Sequence, residues 1–207
     1  MGKNSTKKSF LDWLYYNVGR QSQDFELCYI WKDNGDTKST KWKKFSESIF
    51  FVDFDGYCEY NKIKWFFEKC NQRQILANEI VLDLENKENY KIILNKLIEE
   101  KLFFRAYSTG SKGFHFHLFF DRVLNSWEKE TIIRYFNCDI QKSSNKTMIA
   151  LEFEPHWKSG KPKSITYDNL YLNGEIGYNS LNVKNIGSNL VPHIVIEITP
   201  SYRSFLG

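Results

Sequence analysis

The chain has 207 residues, of which 42% are hydrophobic and 26% charged, values that exclude a disordered tail and predict one globular domain. Lysine and arginine number 29 against 25 acidic residues, and the net charge of +4 is compatible with a nucleic-acid partner without requiring one. No apolar run approaches the roughly 20 residues that span a bilayer, and the first residues lack an apolar signal segment. We therefore expect an intracellular protein without a membrane partner.

The N-terminal part of the chain, residues 1–77, predicts a loosely patterned α/β module. Apolar residues in Phe10–Val18 have the spacing of a short amphipathic helix, and Phe25–Trp31 has the composition of a strand. A turn follows at Asp33–Asp36, and helical spacing returns at Ile63–Cys70.

The middle of the chain, residues 78–168, carries a clearer pattern. Its elements follow the order strand, helix, strand, strand, helix, strand, which we place at Ile80–Glu85, Tyr90–Ile98, Leu102–Tyr107, Phe114–Phe120, Trp127–Phe136 and Met148–Glu154. Asn125 and Glu128 predict a capping box at the start of the second helix. This order is typical of an RRM-like or ferredoxin-like sheet. We predict an α+β fold with this core and with further strands in residues 169–207, the clearest at Pro192–Thr199.

Four polar side chains are predicted to meet on one face of this sheet. In the ferredoxin-like arrangement both helices cover the same face, and the first and third strands are neighbours. Strand alternation turns Leu82 and Phe116 toward the helices, so Asp83 and Glu85 on the first strand point away from them. His115 and His117 on the third strand point the same way. We expect this face to be uncovered.

Asp83 and Glu85 carry the first chemical indication. Two carboxylates two positions apart on a strand lie about 6.5–7 Å from each other along it. They repel unless a cation lies between them, and hard oxygen ligands select Mg²⁺ or Mn²⁺ over Zn²⁺. Such sites commonly serve phosphoryl transfer. The same spacing also occurs where two solvated acids end an ordinary strand.

A glycine-containing loop carries the second indication. In Thr109–Gly113 two glycines let backbone N–H groups approach an anion closely, and Lys112 adds a positive charge. The loop leads directly to His115. The alternative is a glycine-rich hairpin whose histidines have structural partners.

Together these segments resemble the archaeo-eukaryotic primase (AEP) superfamily, which includes small catalytic primase subunits and primase-polymerases. The family's first motif, an apolar strand with D-x-D or D-x-E, matches Leu82–Glu85. Its second, S-G-x-x-G-x-H, matches Thr109–His115 with threonine in place of serine. The resemblance implies that His115 contacts the phosphates of an incoming nucleotide, within a binding loop that also contains Gly110, Ser111, Lys112 and Gly113.

The third family motif is an aspartate roughly twenty residues before an H-x-K-[ST]-G-[KR] segment. His156–Lys161 matches that segment, and the resemblance gives nucleotide-binding roles to His156, Lys158, Ser159 and Lys161. The spacing points to Asp139 as the third metal ligand, with Glu152 and Glu154 as alternatives.

The resemblance implies a DNA primase or primase-polymerase that makes primers on a single-stranded DNA template from nucleoside or deoxynucleoside triphosphates. Asp83, Glu85 and Asp139 would hold two Mg²⁺ or Mn²⁺ ions, and His115 would complete the catalytic set. A primase large subunit or a replicative helicase is a candidate partner. The chain departs from the family in its size and in lacking a Cys/His zinc knuckle around Cys58 and Cys70, so we do not expect zinc.

Two alternatives remain open. His115-Phe116-His117 is similar to the His-hydrophobe-His strand of rolling-circle replication-initiator (HUH) endonucleases, but none of the downstream tyrosines, at 135, 167, 171, 178 and 202, has the lysine expected three residues later. A non-catalytic nucleic-acid-binding accessory primase subunit would place aromatics instead of acids on the sheet face. Trp157 is a candidate for base stacking. The basic run Lys38, Lys41, Lys43 and Lys44 could follow a phosphate backbone, but we interpret it mainly as a solvated face.

Overall fold

The computed structural model describes residues 3–18, 24–49, 57–172, 175–186 and 193–202. Helices and antiparallel strands are interspersed along these residues, which confirms the predicted α+β class. The chain forms two compact units, and each is assembled from separated stretches of sequence. In the described part of the chain, no helix combines the length and the apolar character that crossing a membrane requires.

The helices and strands have the following bounds. The helices are α1 (Lys3–Trp13), continued by a π-helical turn at Leu14–Val18, α2 (Phe45–Ile49), α3 (Tyr57–Lys69), α4 (Lys87–Glu99), α5 (Ser126–Tyr135) and a 3₁₀ turn at Ile140–Ser143. The strands are β1 (Glu26–Cys28), β2 (Ile30–Asp33), β3 (Asp36–Ser39), β4 (Lys43–Lys44), β5 (Gln72–Gln74), β6 (Glu79–Leu84), β7 (Arg105–Ser108), β8 (Phe114–Phe119), β9 (Met148–Ala150), β10 (Ser164–Asp168), β11 (Tyr171–Leu172), β12 (Glu175–Ile186) and β13 (His193–Tyr202).

The first unit draws on residues within 1–77, 108–112 and 144–164. Its main sheet has the strand order β4-β1-β5-β9 with antiparallel pairing throughout. Leu11, Leu14, Leu27 and Phe45 are fully buried in this unit. The predicted N-terminal helix is present and begins earlier, at Lys3, whereas the single strand predicted over 25–31 is divided into β1 and β2.

Strands β2 and β3 form a hairpin around the predicted turn. Asn34 and Gly35 both have positive φ, 49° and 91°, as a two-residue hairpin turn requires. Asparagine and glycine adopt this conformation at the lowest cost, so the Asn-Gly pair fixes the register that places Trp31 opposite Lys38. The hairpin is polar and exposed along all of β3.

The second unit draws on residues within 78–107, 113–143 and 165–207. Its main sheet has the order β10-β7-β8-β6. A continuous core contains Leu82 of β6, Phe116 of β8, Leu97 of α4 and Ile132 of α5, so both helices pack on one face as predicted. Asn86 caps α4, and the predicted capping box begins α5: the side chains of Asn125 and Glu128 each accept the other's backbone N–H.

The predicted position of the fourth strand of the ferredoxin-like sheet is wrong. The segment expected to pair beside β6 forms only the three-residue strand β9, which pairs with β5 in the other unit's sheet. Two residues beyond β9, Glu152 binds the side chain of Arg73 on β5. Alternation identifies a strand and its buried face but not its partner, and this buried ion pair joins the segment to β5. Strand β10 completes the second unit's sheet on the far side of β7.

A long hairpin of β12 and β13 ends the chain, pairing from Gly177↔Tyr202 to Ile186↔His193. Buried Asn179 fastens it to the second unit, because its side chain accepts the N–H of Phe103 and donates to the carbonyls of Phe103 and Phe119. The predicted C-terminal strand is therefore confirmed from residue 193 onward. Pro192, where it was expected to begin, lies outside the described residues.

Candidate active site

Asp83 and His115 face each other across two neighbouring strands of the second unit. They are direct partners in the β6–β8 register, and His115 Nε2 lies 3.5 Å from Asp83 Oδ1. Their strand neighbours Leu82, Leu84 and Phe116 point into the helix-covered core. The predicted placement of an acid and an imidazole on the same side of the sheet, away from the helices, is confirmed.

The surroundings of Asp83 keep its carboxylate ionised. Lys142 of the 3₁₀ turn places Nζ 3.5 Å from Asp83 Oδ2. Partial burial opposes ionisation, but the hydrogen bond and charge of His115, together with the charge of Lys142, outweigh it and lower the pKa of Asp83 to about 2. The carboxylate is 28% exposed. It is therefore a charged, solvent-reachable oxygen ligand at neutral pH.

The expectation that this face is uncovered is wrong for most of its length. The side chain of His115 is 7% exposed and that of His117 only 1%, and Val81 and Phe119 on the same face are buried. Apolar residues are thus present on this face as well as on the core face, which is typical of strands buried on both sides. Solvent reaches Asp83 and the exposed Glu85, which follows the end of β6.

A buried hydrogen-bonded pair of side chains, His117 and Glu79, lies next to His115. His117 Nδ1 is 2.6 Å from Glu79 Oε1, and the edge of the Tyr107 ring contacts the imidazole with 4.9 Å between ring centres. The His115 and His117 rings are 5.8 Å apart. Lys129 of α5 is also buried. Burial lowers its pKa to about 8, although the negative charge of Glu79 acts to raise it. His117 is thus placed to hold His115 in position, not to contact a ligand in solvent.

Sequence reasoning missed Glu79 and Lys142. Glu79 is the first residue of a strand, where an acid is usually solvated, and its alternation with Val81 and Asp83 was the available signal. Lys142 carried no signal, because its position depends on the path of the loop after α5.

Glu85 and Asp139 are both exposed. Asp139 accepts the backbone N–H of Gln141 at 2.9 Å and so begins the turn from which Lys142 reaches Asp83. Among the residues that the structure describes, no three His, Cys, Asp or Glu side chains converge into a ready metal-binding group. The structure unites Asp83 with His115 and Lys142, and the ligand set of Asp83, Glu85 and Asp139 stays a prediction.

The alternative third carboxylates have other partners in the first unit. Glu152 is fully buried: Arg73 donates to both of its oxygens, at 2.8 and 2.9 Å, and Lys163 donates to one at 2.8 Å. Glu154 pairs with Lys7 at 3.2 Å. Because both oxygens of Glu152 are bound by buried cations, we assign this residue a structural role.

Two predicted nucleotide-binding segments meet within the first unit. Gly110 has φ +75°, and a Cβ there would lie 2.2 Å from the carbonyl oxygen of Lys161. Ser159 Oγ donates a hydrogen bond to the Gly110 carbonyl. The glycine is therefore required both by its backbone conformation and by the close approach of the 156–161 loop. Ser111 and Lys112 are exposed beside it.

The 156–161 loop is a tight turn closed by its own backbone. The N–H of His156 donates to the carbonyl of Lys161 at 2.8 Å, and the N–H of Gly160 donates to the carbonyl of His156 at 2.8 Å. Partial burial, with the nearby charge of Lys158, lowers the pKa of His156 below its usual value. Lys158 and Lys161 remain exposed.

In the second unit, Gly113 also permits a close approach, since a Cβ there would lie 2.6 Å from the carbonyl oxygen of Leu84 and 3.8 Å from Asp83 Oδ1. A larger residue would push β8 away from the end of β6. The second predicted glycine therefore sets the spacing of the strands that carry Asp83 and His115.

Comparison with solved structures identifies similar folds. The AEP domain of the primase-polymerase of cyanophage S-2L superposes with a TM-score of 0.51 and 12% identity, over 83% of this chain and 91% of that domain. The polymerase domain of Mycobacterium tuberculosis ligase D, solved in complex with DNA, gives a TM-score of 0.49 and 12% identity over 80% of each chain. No family model and no curated protein matches the sequence. The first similarity shows that this chain has the fold of an AEP domain.

Proposed function

We propose that this chain is an AEP-type nucleotidyltransferase that synthesises DNA primers on a single-stranded DNA template. The observation that carries the proposal is the Asp83–His115 pair, an ionised carboxylate directly opposite an imidazole. The pair falls on the two sequence segments that resemble family motifs, in a chain with the fold of an AEP domain. Fold and chemistry thus point to the same reaction class.

The donor chemistry of Asp83 and Glu85 fits Mg²⁺ or Mn²⁺. Asp83 is ionised and reachable, its neutralising neighbours are a histidine and a lysine 3.5 Å away, and Glu85 is exposed two positions on. Hard carboxylate oxygens are the ligands that these ions prefer. We propose that Asp83 and Glu85, with Asp139 as the third carboxylate, hold two such ions. When bound, they would align the 3′-hydroxyl with the α-phosphate and neutralise the leaving pyrophosphate.

The reaction forms a bond between the 3′-oxygen and the α-phosphorus. It breaks the bond between that phosphorus and the oxygen that bridges the α- and β-phosphates. The hydroxyl proton passes to solvent and pyrophosphate leaves. His115 donates a hydrogen bond to the triphosphate, and its neighbour His117, fixed by Glu79, holds its ring in place. Lys142 neutralises Asp83 in this structure, and a divalent ion bound to the same carboxylate would take over that role. Triphosphate binding by the 110–113 and 156–161 segments stays part of this proposal.

The test is synthesis without a supplied primer. The protein is incubated with single-stranded DNA, labelled ribo- or deoxyribonucleotides and Mg²⁺ or Mn²⁺, and products are resolved on a denaturing gel. We expect new chains, and we expect Asp83→Asn or chelation to abolish them. Glu130→Gln, which changes an exposed acid of α5, is the matched control and should be as active as the wild type.

Other outcomes of this assay would contradict the proposal. Equal product from Asp83→Asn would mean that this carboxylate does not serve the reaction, and no product under any condition would favour an accessory binding role. A covalent protein–DNA adduct at a tyrosine would favour the HUH endonuclease. The burial of His117 against Glu79 already weighs against that alternative, since it removes one of its two histidines from solvent.

A further inference from the structure

Three aromatic side chains of the first unit form a partly exposed cluster outside the core. The Tyr29 and Trp31 rings are stacked, with centres 5.0 Å apart and an interplanar angle of 12°. Trp65 of α3 meets Tyr29 edge-on at 6.0 Å and is 48% exposed. We call Tyr29, Trp31 and Trp65 the aromatic platform. Tyr29 and Trp31 are two positions apart, so both side chains lie on the same face of the chain.

The segment that contains Trp31 and follows Tyr29 is strongly basic. Residues 30–44 contain five lysines and two aspartates, and all five lysines are exposed. Lys38 lies opposite Trp31 in the hairpin and pairs with Asp33. Lys43 Nζ lies 5.0 Å from the ring centre of Phe66, the residue after Trp65. The chain that follows Tyr29 therefore carries five exposed positive charges, one of them directly opposite Trp31.

The same hairpin contacts the 156–161 loop. Lys32 of β2 places Nζ 5.4 Å from the Trp157 ring centre, and Lys158 Nζ lies 4.9 Å from the same ring. The His156 ring is nearly parallel to that of Trp157 at 6.1 Å. Trp31 of the platform thus lies in a hairpin that contacts the loop for which we propose nucleotide binding.

We propose that the aromatic platform binds single-stranded DNA, with bases stacked on its rings and phosphates paired with the lysines of residues 30–44. Aromatic rings accept any base, and lysines neutralise the backbone without regard to sequence, a combination typical of single-strand binding sites. A protein-docking surface would be depleted of lysine, and duplex DNA hides its base faces. The identification of the bound strand as a template rests on the proposed function; the binding itself does not.

Binding is measured by the fluorescence anisotropy of labelled oligo-dT of about 20 nucleotides, enough for several stacked bases. EDTA is present and nucleotides are omitted, so catalysis plays no part. We expect Trp31→Ala and Trp65→Ala each to raise the Kd about tenfold, the effect of losing one stacked base. Trp127→Ala, which removes a tryptophan of α5 with 45% exposure, is the control and should bind as the wild type.

Two further sets of variants distinguish base stacking from a folding defect and test the contribution of positive charge. Trp31→Phe keeps an aromatic face and should restore most of the affinity that Trp31→Ala loses. Lys41→Gln should reduce the slope of log affinity against log salt by about 0.7, the value for one phosphate contact on a single strand. Lys91→Gln, at an exposed position of α4, should leave the slope unchanged.

Wild-type affinity in both tryptophan-to-alanine variants would overturn the proposal, as would competition by a duplex of the same length at equal strength. Failure of the proposed function looks different: primer synthesis would be absent while oligo-dT binding still depends on Trp31 and Trp65. If the proposal for the aromatic platform is wrong and the proposed function is right, primer synthesis would be lost in Asp83→Asn, while oligo-dT binding would be unchanged in Trp31→Ala and Trp65→Ala.

Discussion

Replacing Glu152 by glutamine tests whether this carboxylate is structural or a metal ligand. In the folded protein its two oxygens accept hydrogen bonds from Arg73 and Lys163, and all three side chains are fully buried. The substitution leaves two buried cations with a neutral amide between them. Removing one partner of a buried ion pair costs about 3–5 kcal/mol. For a domain of this size each kcal/mol lowers the Tm by about 2–4 °C, so we expect a loss of about 6–20 °C.

The assay is thermal unfolding at neutral pH, combined with primer synthesis at a temperature where the variant is folded. We expect Glu152→Gln to be unstable but active, and Asp139→Asn to be stable but inactive. The control Glu130→Gln disrupts an exposed pair with Arg134, and such pairs contribute about 0–1 kcal/mol. If Arg73 and Glu152 are both replaced by methionine, less stability should be lost than with Glu152→Met alone, because no unpaired charge remains from that pair.

An unchanged Tm for Glu152→Gln together with lost synthesis would refute this reasoning. That result would mean that the carboxylate is exchanged between its cation partners and a metal ion, and the third-ligand assignment would pass from Asp139 to Glu152.

Two further predictions concern the glycine loop and the buried contact between Glu79 and His117. Gly110→Ala should lower the Tm more than Gly160→Ala. Both positions have positive φ, but only at Gly110 would the new Cβ collide with a neighbour, the Lys161 carbonyl. Equal losses of Tm in the two variants would contradict this prediction. Glu79→Gln should reduce the free energy of unfolding in urea by about 1.5–3 kcal/mol, the range for a hydrogen bond to a charged group. It should also shift the imidazole ¹⁵N resonances of His117, and an unchanged spectrum would show that the 2.6 Å contact does not set its protonation.

The central part of the site could be predicted from sequence because it depends on strand alternation. Once β6 and β8 are neighbours, Asp83 and His115 must share a face if Leu82 and Phe116 share the core. The capping box of α5 was equally accessible, since both of its partners lie within four residues of sequence.

What the sequence could not provide depends on long-range partners. The strand predicted over 148–154 is present only at 148–150, and its partner was decided by the buried pair of Arg73 with Glu152, 79 residues apart. The burial of the His117 face was missed for a similar reason, because a polar residue on a strand can be satisfied by another buried polar residue, here Glu79. Alternation alone does not distinguish such a pair from a solvated one.

The interleaving of the two units has a consequence for how the protein is made. The first unit's sheet is completed by β9, so one edge of β5 stays unpaired on the ribosome until residues near 150 have emerged, by which time much of the second unit has been synthesised. A nascent chain of 77 residues holds Arg73 without the carboxylate that neutralises it. The first unit therefore reaches its final sheet and its buried ion pair only late in translation, although most of its residues are made first.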